Sequence, residues 1–456
     1  MLANPDIFRT CLAAFWVFIV QAGFALIATG FTRAKNASHT MLMNMMVFCI
    51  GFIAYYVCGF AFMFGGQGRW CTPHGANILD NMLRIGGTGG WGLLGTKGFF
   101  MSGLGDAQVL GFLMCQVLFM DTAATIPTGA MAERIKFSAF IWMSFFTAVL
   151  VYPILGCWVW GGGWLAQLGS KLGWGSGAVD FAGSGVVHMA GGWTALAGAL
   201  ALGPRIGKYG MKGHARPIPG HNIPLAILGT LILFFGWFGF NSGSPLAAAN
   251  GALAVAALNT LLAGACGGLS AMLYMVYVHA ARRPDPGLCC NGILAGLVAI
   301  SAPCAFVSPG AAVIIGAVAG VWVVVAGPFV ECQLRVDDPV GAFAVHGCSG
   351  LWGVLAVGLF ACNTCAANGS NVVGVFPLGA PEGTPWFTFG QLKAQLVFAL
   401  SGVAFVFGLQ YAYLKTYNAI WGLRVSAEDE LAGLDVPETG CPAYPDFASR
   451  DRLSSG

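Results

Sequence analysis

Charge is what this chain has least of. Only 9% of its 456 residues are Asp, Glu, Lys or Arg, where a soluble domain carries about 25%. That scarcity argues against a solvated globular fold. The net charge of +3 points to no particular partner, and no nucleic-acid partner is expected. Short segments of alternating polar and apolar residues, the mark of a membrane β-barrel, are missing. Metal-ligand patterns are thin as well. The lone C-x-x-C of Cys362 and Cys365 has no second pair and only His74 as an evident companion, so no metal site is expected. No cleavable leader is recognisable ahead of the first apolar run, where Arg9 is the one basic residue.

What is present is long apolar sequence. Hydrophobic residues make up 57% of the chain, glycine accounts for 68 positions, and apolar runs of membrane-crossing length recur throughout. This predicts an all-α polytopic membrane protein. Eleven spans are expected, at roughly 8–32, 41–64, 107–131, 137–160, 181–203, 221–241, 250–280, 288–307, 310–333, 339–361 and 391–421. Alternating the connecting segments between two sides puts 15 of the Lys and Arg residues on one side and six on the other. The richer side, with Arg33, Arg134, Arg205 and Arg424, is then cytoplasmic. The N-terminus is outside and the C-terminus inside. Residues 1–421 form the membrane domain and 422–456 a cytoplasmic tail, and the expected location is the cytoplasmic membrane. Most of the 15 cysteines lie in apolar spans as small hydrophobes. Cys71, Cys362 and Cys365 fall in external loops, where a disulfide among them is one reading.

Two stretches share an unusual pattern. DFAGSGVVHMAGG at 180–192 and DPVGAFAVHGCSG at 338–350 both fit D-x-x-G-x-x-x-V-H-x-x-x-G. They open the fifth and tenth spans, so the two helices run in opposite directions. That is the signature of two inverted five-helix repeats plus one extra helix, an architecture that puts a substrate site near the midplane. Eight residues of helix rise about 12 Å, so His188 and His346 should reach similar depth from opposite faces. A single buried histidine is usually a satisfied core residue. Two at matched positions of an inverted repeat point to function. Each Asp also has a plain structural role open to it, as an N-cap for unpaired backbone N–H groups.

Other stretches suit a small cation and a dry route. WGGGW at 160–164, GWFGFNSGS at 236–244 and Phe119 all lie toward the outer side. Trp160 offers an aromatic face to a cation, the Ser244 hydroxyl an acceptor, and Phe119 with Phe240 an apolar barrier. The ordinary alternatives are an interfacial tryptophan belt and simple packing.

Taken together these stretches resemble ammonium transporters of the Amt/Mep/Rh superfamily, nearer the Amt branch. The similarity also runs through GFTRAKN (30–36), GAMAERIKFSAF (129–140), GPRIGKYG (203–210), NGILAGLVAISAPC (291–304), RVDDPVGAFAVHG (335–347) and the tail GLRVSAEDELAGLDVPETG. The resemblance implies an external ammonium-recruitment site at Trp160 and Ser244 with Phe119, shaped by Asp180. It implies a phenylalanine gate at Phe119 and Phe240, and a pore lined by Trp237, His188, His346 and Ser301. It further implies a homotrimer, a gating role for the tail, and a PII-type signalling protein as cytoplasmic partner. No cofactor and no enzymatic activity are expected. Asp121 departs from the family pattern, either as a hydrogen-bonded structural acid or as an added proton-handling group.

The chemistry that would follow is deprotonation of ammonium outside, passage of NH3 between two imidazoles, and separate, electrogenic movement of the proton. Histidine suits that task near neutral pH. Three alternatives stand beside it: an ammonium sensor with little flux, an Rh-like neutral channel for NH3 or CO2, and a haem held by the paired histidines.

Overall fold

The computed structural model describes residues 5–66, 79–211, 213–243, 252–362, 372–380 and 382–447. Ten helices among them are long and apolar enough to cross a membrane. In chain order these are α1 Ile7–Phe31, α2 Ala34–Phe64, α3 Ala107–Met131, α4 Phe137–Val159, α5 Ser184–Leu202, α6 Ile223–Ser242, α7 Ala252–Tyr277, α9 Pro309–Gln333, α10 Phe343–Phe360 and α11 Gly390–Trp421. A shorter apolar helix, α8 Pro286–Ser301, completes the set. The chain is a multi-pass membrane protein.

Helix starts follow their sequence signals. Asp106, Asn222, Asp285 and Ser308 each accept a hydrogen bond from a backbone N–H of the helix they open. Proline sits in the first turn of α6, α8 and α9, where its missing N–H costs nothing. Two expectations on helix bounds need correction. The eighth span, expected at 288–307, stops as a helix at Ser301, and turns carry the chain to residue 307. The fifth and tenth helices begin at Ser184 and Phe343 rather than near 181 and 339, because the residues after each Asp form a cap instead of helix. The connection between α2 and α3 contains an antiparallel hairpin of β1 (Met82–Ile85) and β2 (Trp91–Gly95). Its GGTGG turn carries left-handed glycines at Gly86, Gly87 and Gly89.

Small residues let the helices approach. α1 lies along α6, and a Cβ on Gly229 would come within 2.7 Å of the Ile27 backbone nitrogen. Helices five apart in order, α1 with α6 and α5 with α10, pack on one another.

The tail folds back on the bundle. Lys136 N–H donates to the Leu423 carbonyl at 2.9 Å and Val425 N–H to that of Arg134 at 3.1 Å. Two short helices follow, α12 Ala427–Ala432 and α13 Asp435–Thr439. Asp435 accepts the His39 N–H at the start of α2, and Glu438 accepts the Phe137 N–H at the start of α4. Acidic side chains of the tail thus satisfy helix N-termini that would otherwise hold unpaired donors. Beside them lies a buried ion network. Arg205 reaches both oxygens of Asp337, at 2.8 and 2.9 Å, and Glu133 at 3.2 Å. Burial opposes ionisation of Asp337, but the Arg205 hydrogen bond and the charge of Arg134 outweigh it and hold the carboxyl at about 2.

Cys362 is disulfide-bonded. The other cysteines expected in such a bond, Cys71 and Cys365, lie outside the described residues, as does His74.

Candidate functional site

Each Asp–His motif builds the same local structure. Asp180 accepts hydrogen bonds from the backbone N–H groups of Gly183, Gly185 and Val186, at 2.7, 2.8 and 2.9 Å. Asp338 accepts those of Gly341 and Phe343, at 3.1 and 2.8 Å. Both carboxylates therefore act as caps, and Asp180 is only 4% exposed. The motif glycine after each Asp has a left-handed backbone, φ 104° at Gly183 and 75° at Gly341, which L side chains rarely adopt. That turn feeds a widened π-helical segment, Ser184–Met189 or Phe343–Cys348, and each segment carries the histidine.

The closing glycine of each motif explains how the two histidines meet. A Cβ on Gly192 would fall 2.0 Å from the Gly347 nitrogen, and one on Gly350 would fall 2.5 Å from the Ser184 carbonyl oxygen. Each repeat thus leaves room for the backbone of the other. At that crossing His188 and His346 face each other, Nδ1 to Nδ1, at 3.3 Å. Such a pair can share one proton, because one ring must donate while the other accepts. His188 is fully buried, and its Nε2 has no hydrogen-bond partner among the described residues.

Aromatic rings continue the line on both sides. Trp237 stacks on His188 with centroids 4.9 Å apart and 17° between planes. Its indole N–H donates to the Ser301 hydroxyl at 2.9 Å, and that hydroxyl donates to the Leu297 carbonyl. Phe240, one turn from Trp237 on α6, stacks on Phe119 at 4.0 Å and 14°. Rings that close are in van der Waals contact. Trp160 meets Phe119 edge-on at 6.1 Å, and its indole N–H donates to the Asp180 carbonyl at 2.6 Å. On the other side of the pair, Phe24 lies 5.7 Å from His346.

Trp160, Phe119, Phe240, Trp237, His188, His346 and Ser301 are therefore brought into one connected line. Asp180 touches that line through its carbonyl and spends its carboxylate on the cap. Ser244 lies outside the described residues. Asp121 is buried, and its Oδ1 has no hydrogen-bond partner among the described residues, so a hydrogen-bonded structural acid finds no support at that oxygen. Phe24 was not foreseen, since a single phenylalanine in an apolar run carries no local signal. The roles of Gly192 and Gly350 were visible only as a shared spacing.

A bundle of membrane-length helices crossing at paired, buried imidazoles is a multi-pass membrane architecture. Comparison with known proteins agrees with that class. The profile of the Ammonium Transporter Family matches residues 8–444, and the chain belongs to that family. It is similar to ammonium transporter Amt2 of Archaeoglobus fulgidus, 41% identical over 447 residues that cover 97% of this chain and 88% of the relative. It is 34% identical to ammonium transporter 1 member 3 of Solanum lycopersicum, over 95% of this chain and 91% of that one. Among solved structures, a sensor Amt protein aligns with a TM-score of 0.80 and 36% identity, over 95% of this chain and 98% of the other. Mep2 of Saccharomyces cerevisiae aligns at 0.76 and 27% identity, over 93% and 88%.

Proposed function

We propose that the protein carries ammonium across the cytoplasmic membrane by separating it into NH3 and a proton. The observation that carries this reading is the His188–His346 pair, two imidazoles 3.3 Å apart at the crossing of the two motif helices. Ammonium entering whole would be a charge stripped of its water, at a cost of several kcal/mol or more. Neutral NH3 has no such penalty and can exchange hydrogen bonds with a pair of rings that donate and accept.

In this reading the ion is recruited against Trp160, Phe119 and Ser244. The indole face supplies cation attraction, and Asp180 fixes the indole through its backbone carbonyl. Phe119 and Phe240 form the gate, and Trp237, anchored by Ser301, holds His188 in its plane. The proton crosses separately, so transport is electrogenic. The architecture in this reading is eleven spans in two inverted five-helix repeats plus one, with the N-terminus outside and residues 422–456 inside as a regulatory tail. The recurring Asp cap, left-handed glycine and histidine support the repeat. A homotrimer and a PII-type partner for the tail rest on the family resemblance.

Sensing is the second reading, favoured by the likeness to a sensor Amt protein. Reconstituted protein under voltage control separates the two. Saturable ammonium-driven current, absent with potassium, is expected. Saturable binding without current would make the protein a sensor.

A further inference from the structure

The line of rings ends beyond His346 in a small chamber of about 30 Å³ whose walls include Phe24, Asn44, Thr125, Val345 and His346. That is more than the roughly 10–15 Å³ a cavity needs to hold one water. A second cavity of about 300 Å³ lies further out, between the start of α8, the end of α9 and the segment before α10. Its acidic residues are already engaged. Asp285 caps α8, Asp338 caps α10, and Glu331 pairs with Lys208 at 2.6 Å. Two residues, Asn291 and Val340, border both spaces.

These two residues are tied together. The Asn291 Nδ2–H donates to the Val340 carbonyl at 3.1 Å, linking α8 to the segment before α10. The Val340 side chain is seated on α3, where a Cβ on Gly129 would stand 2.1 Å from one of its methyls. Gly341 leaves the carboxamide its space, since a Cβ there would sit 3.0 Å from Asn291 Nδ2. One side-chain hydrogen bond thus spans the boundary between a small chamber and a cavity ten times larger.

We infer that Asn291 is the positioning residue of an inner partition. Its bridge to Val340 separates the chamber under His346 from the larger cavity, and parting that bridge joins the two as the exit for NH3. The exit role rests on the transport reading; the partition is a property of the fold. Asparagine fits the task because its bond to a carbonyl is directional yet breaks at low cost.

Thiol accessibility tests this without any transport. Val345→Cys places a small thiol in the chamber wall. The full-length protein in nanodiscs is treated with methyl methanethiosulfonate, and modification is timed by peptide mass spectrometry. Adding Asn291→Ala or Asn291→Ser is expected to speed labelling of that thiol at least tenfold, with the buried Cys304 still unmodified. Equal rates with and without the bridge would overturn the partition. Modification of Cys304 in both double variants would overturn it too, by making Asn291 a residue of fold stability. A protein that gave no ammonium current but showed the acceleration would lose the transport reading and keep the partition.

Discussion

Asp180 and Asp338 cap the starts of α5 and α10 in the same way, yet the first lies behind an indole and the second beside a guanidinium. Around the first repeat the neighbours are rings: Trp160 on the Asp180 carbonyl, then Phe119, Phe240 and Trp237 leading to His188. Around the second they are ions. Asp337, next to the cap, is held by Arg205, and Arg205 reaches on to Glu133. The tail joins the same end, where Glu430 accepts the Ile206 N–H and pairs with Arg424. The motif therefore specifies local geometry, and the two ends differ in the chemistry around it. In the proposed reading, an aromatic mouth suits a cation that must shed its water. A charged, cross-braced mouth suits attachment of a tail.

The largest effect should come from breaking the ionic side alone. Arg205→Ala leaves Asp337 and Glu133 buried without that partner, a loss of about 3–5 kcal/mol, read as a lower unfolding midpoint of the detergent-solubilised protein. The pH profile carries the same sign. Asp337 titrates at about 2, below its ordinary 3.8, so its contribution is complete above about pH 4 and is lost as pH falls through 2. Removing Arg205 should start that loss at higher pH. An unchanged acid limb in the variant would show that the network does not hold the second repeat.

A smaller effect tests whether the crossing is symmetric. Gly192→Ala places a methyl 2.0 Å from a backbone nitrogen, while Gly350→Ala places one 2.5 Å from a carbonyl oxygen. Both should destabilise by about 1–3 kcal/mol, with Gly192→Ala the worse in thermal unfolding. The reverse order would mean that the first repeat yields more easily at the crossing.

Trp160→Phe probes the aromatic side and should do least to the fold. It removes the 2.6 Å hydrogen bond to Asp180 and keeps a ring against Phe119, for about 1 kcal/mol. Its main consequence is expected as a raised half-saturating ammonium concentration. A raised value with no loss of stability would separate recruitment from packing.

Much of this was legible in the sequence because it repeats. The apolar runs marked where the long membrane helices lie, and the histidine pair came from a spacing that occurs twice. Contacts between distant stretches left weaker marks. Phe24 approaches His346 from the far end of the chain, and Asn291 meets Val340 across two helices, with nothing local to announce either. The eighth helix was drawn too long because its end at Ser301 passes into turns that are as apolar as the helix. The hairpin at 82–95 was missed because its strands are short and half-exposed, and only its glycines hinted at a turn.

The central claim is that His188 and His346 together carry ammonium as NH3 and a proton. Current through reconstituted protein carrying both His188→Ala and His346→Ala tests it most directly. The account predicts loss of the ammonium-selective current, with any residual current no longer distinguishing ammonium from potassium. A wild-type current that still excludes potassium in the double variant would contradict it.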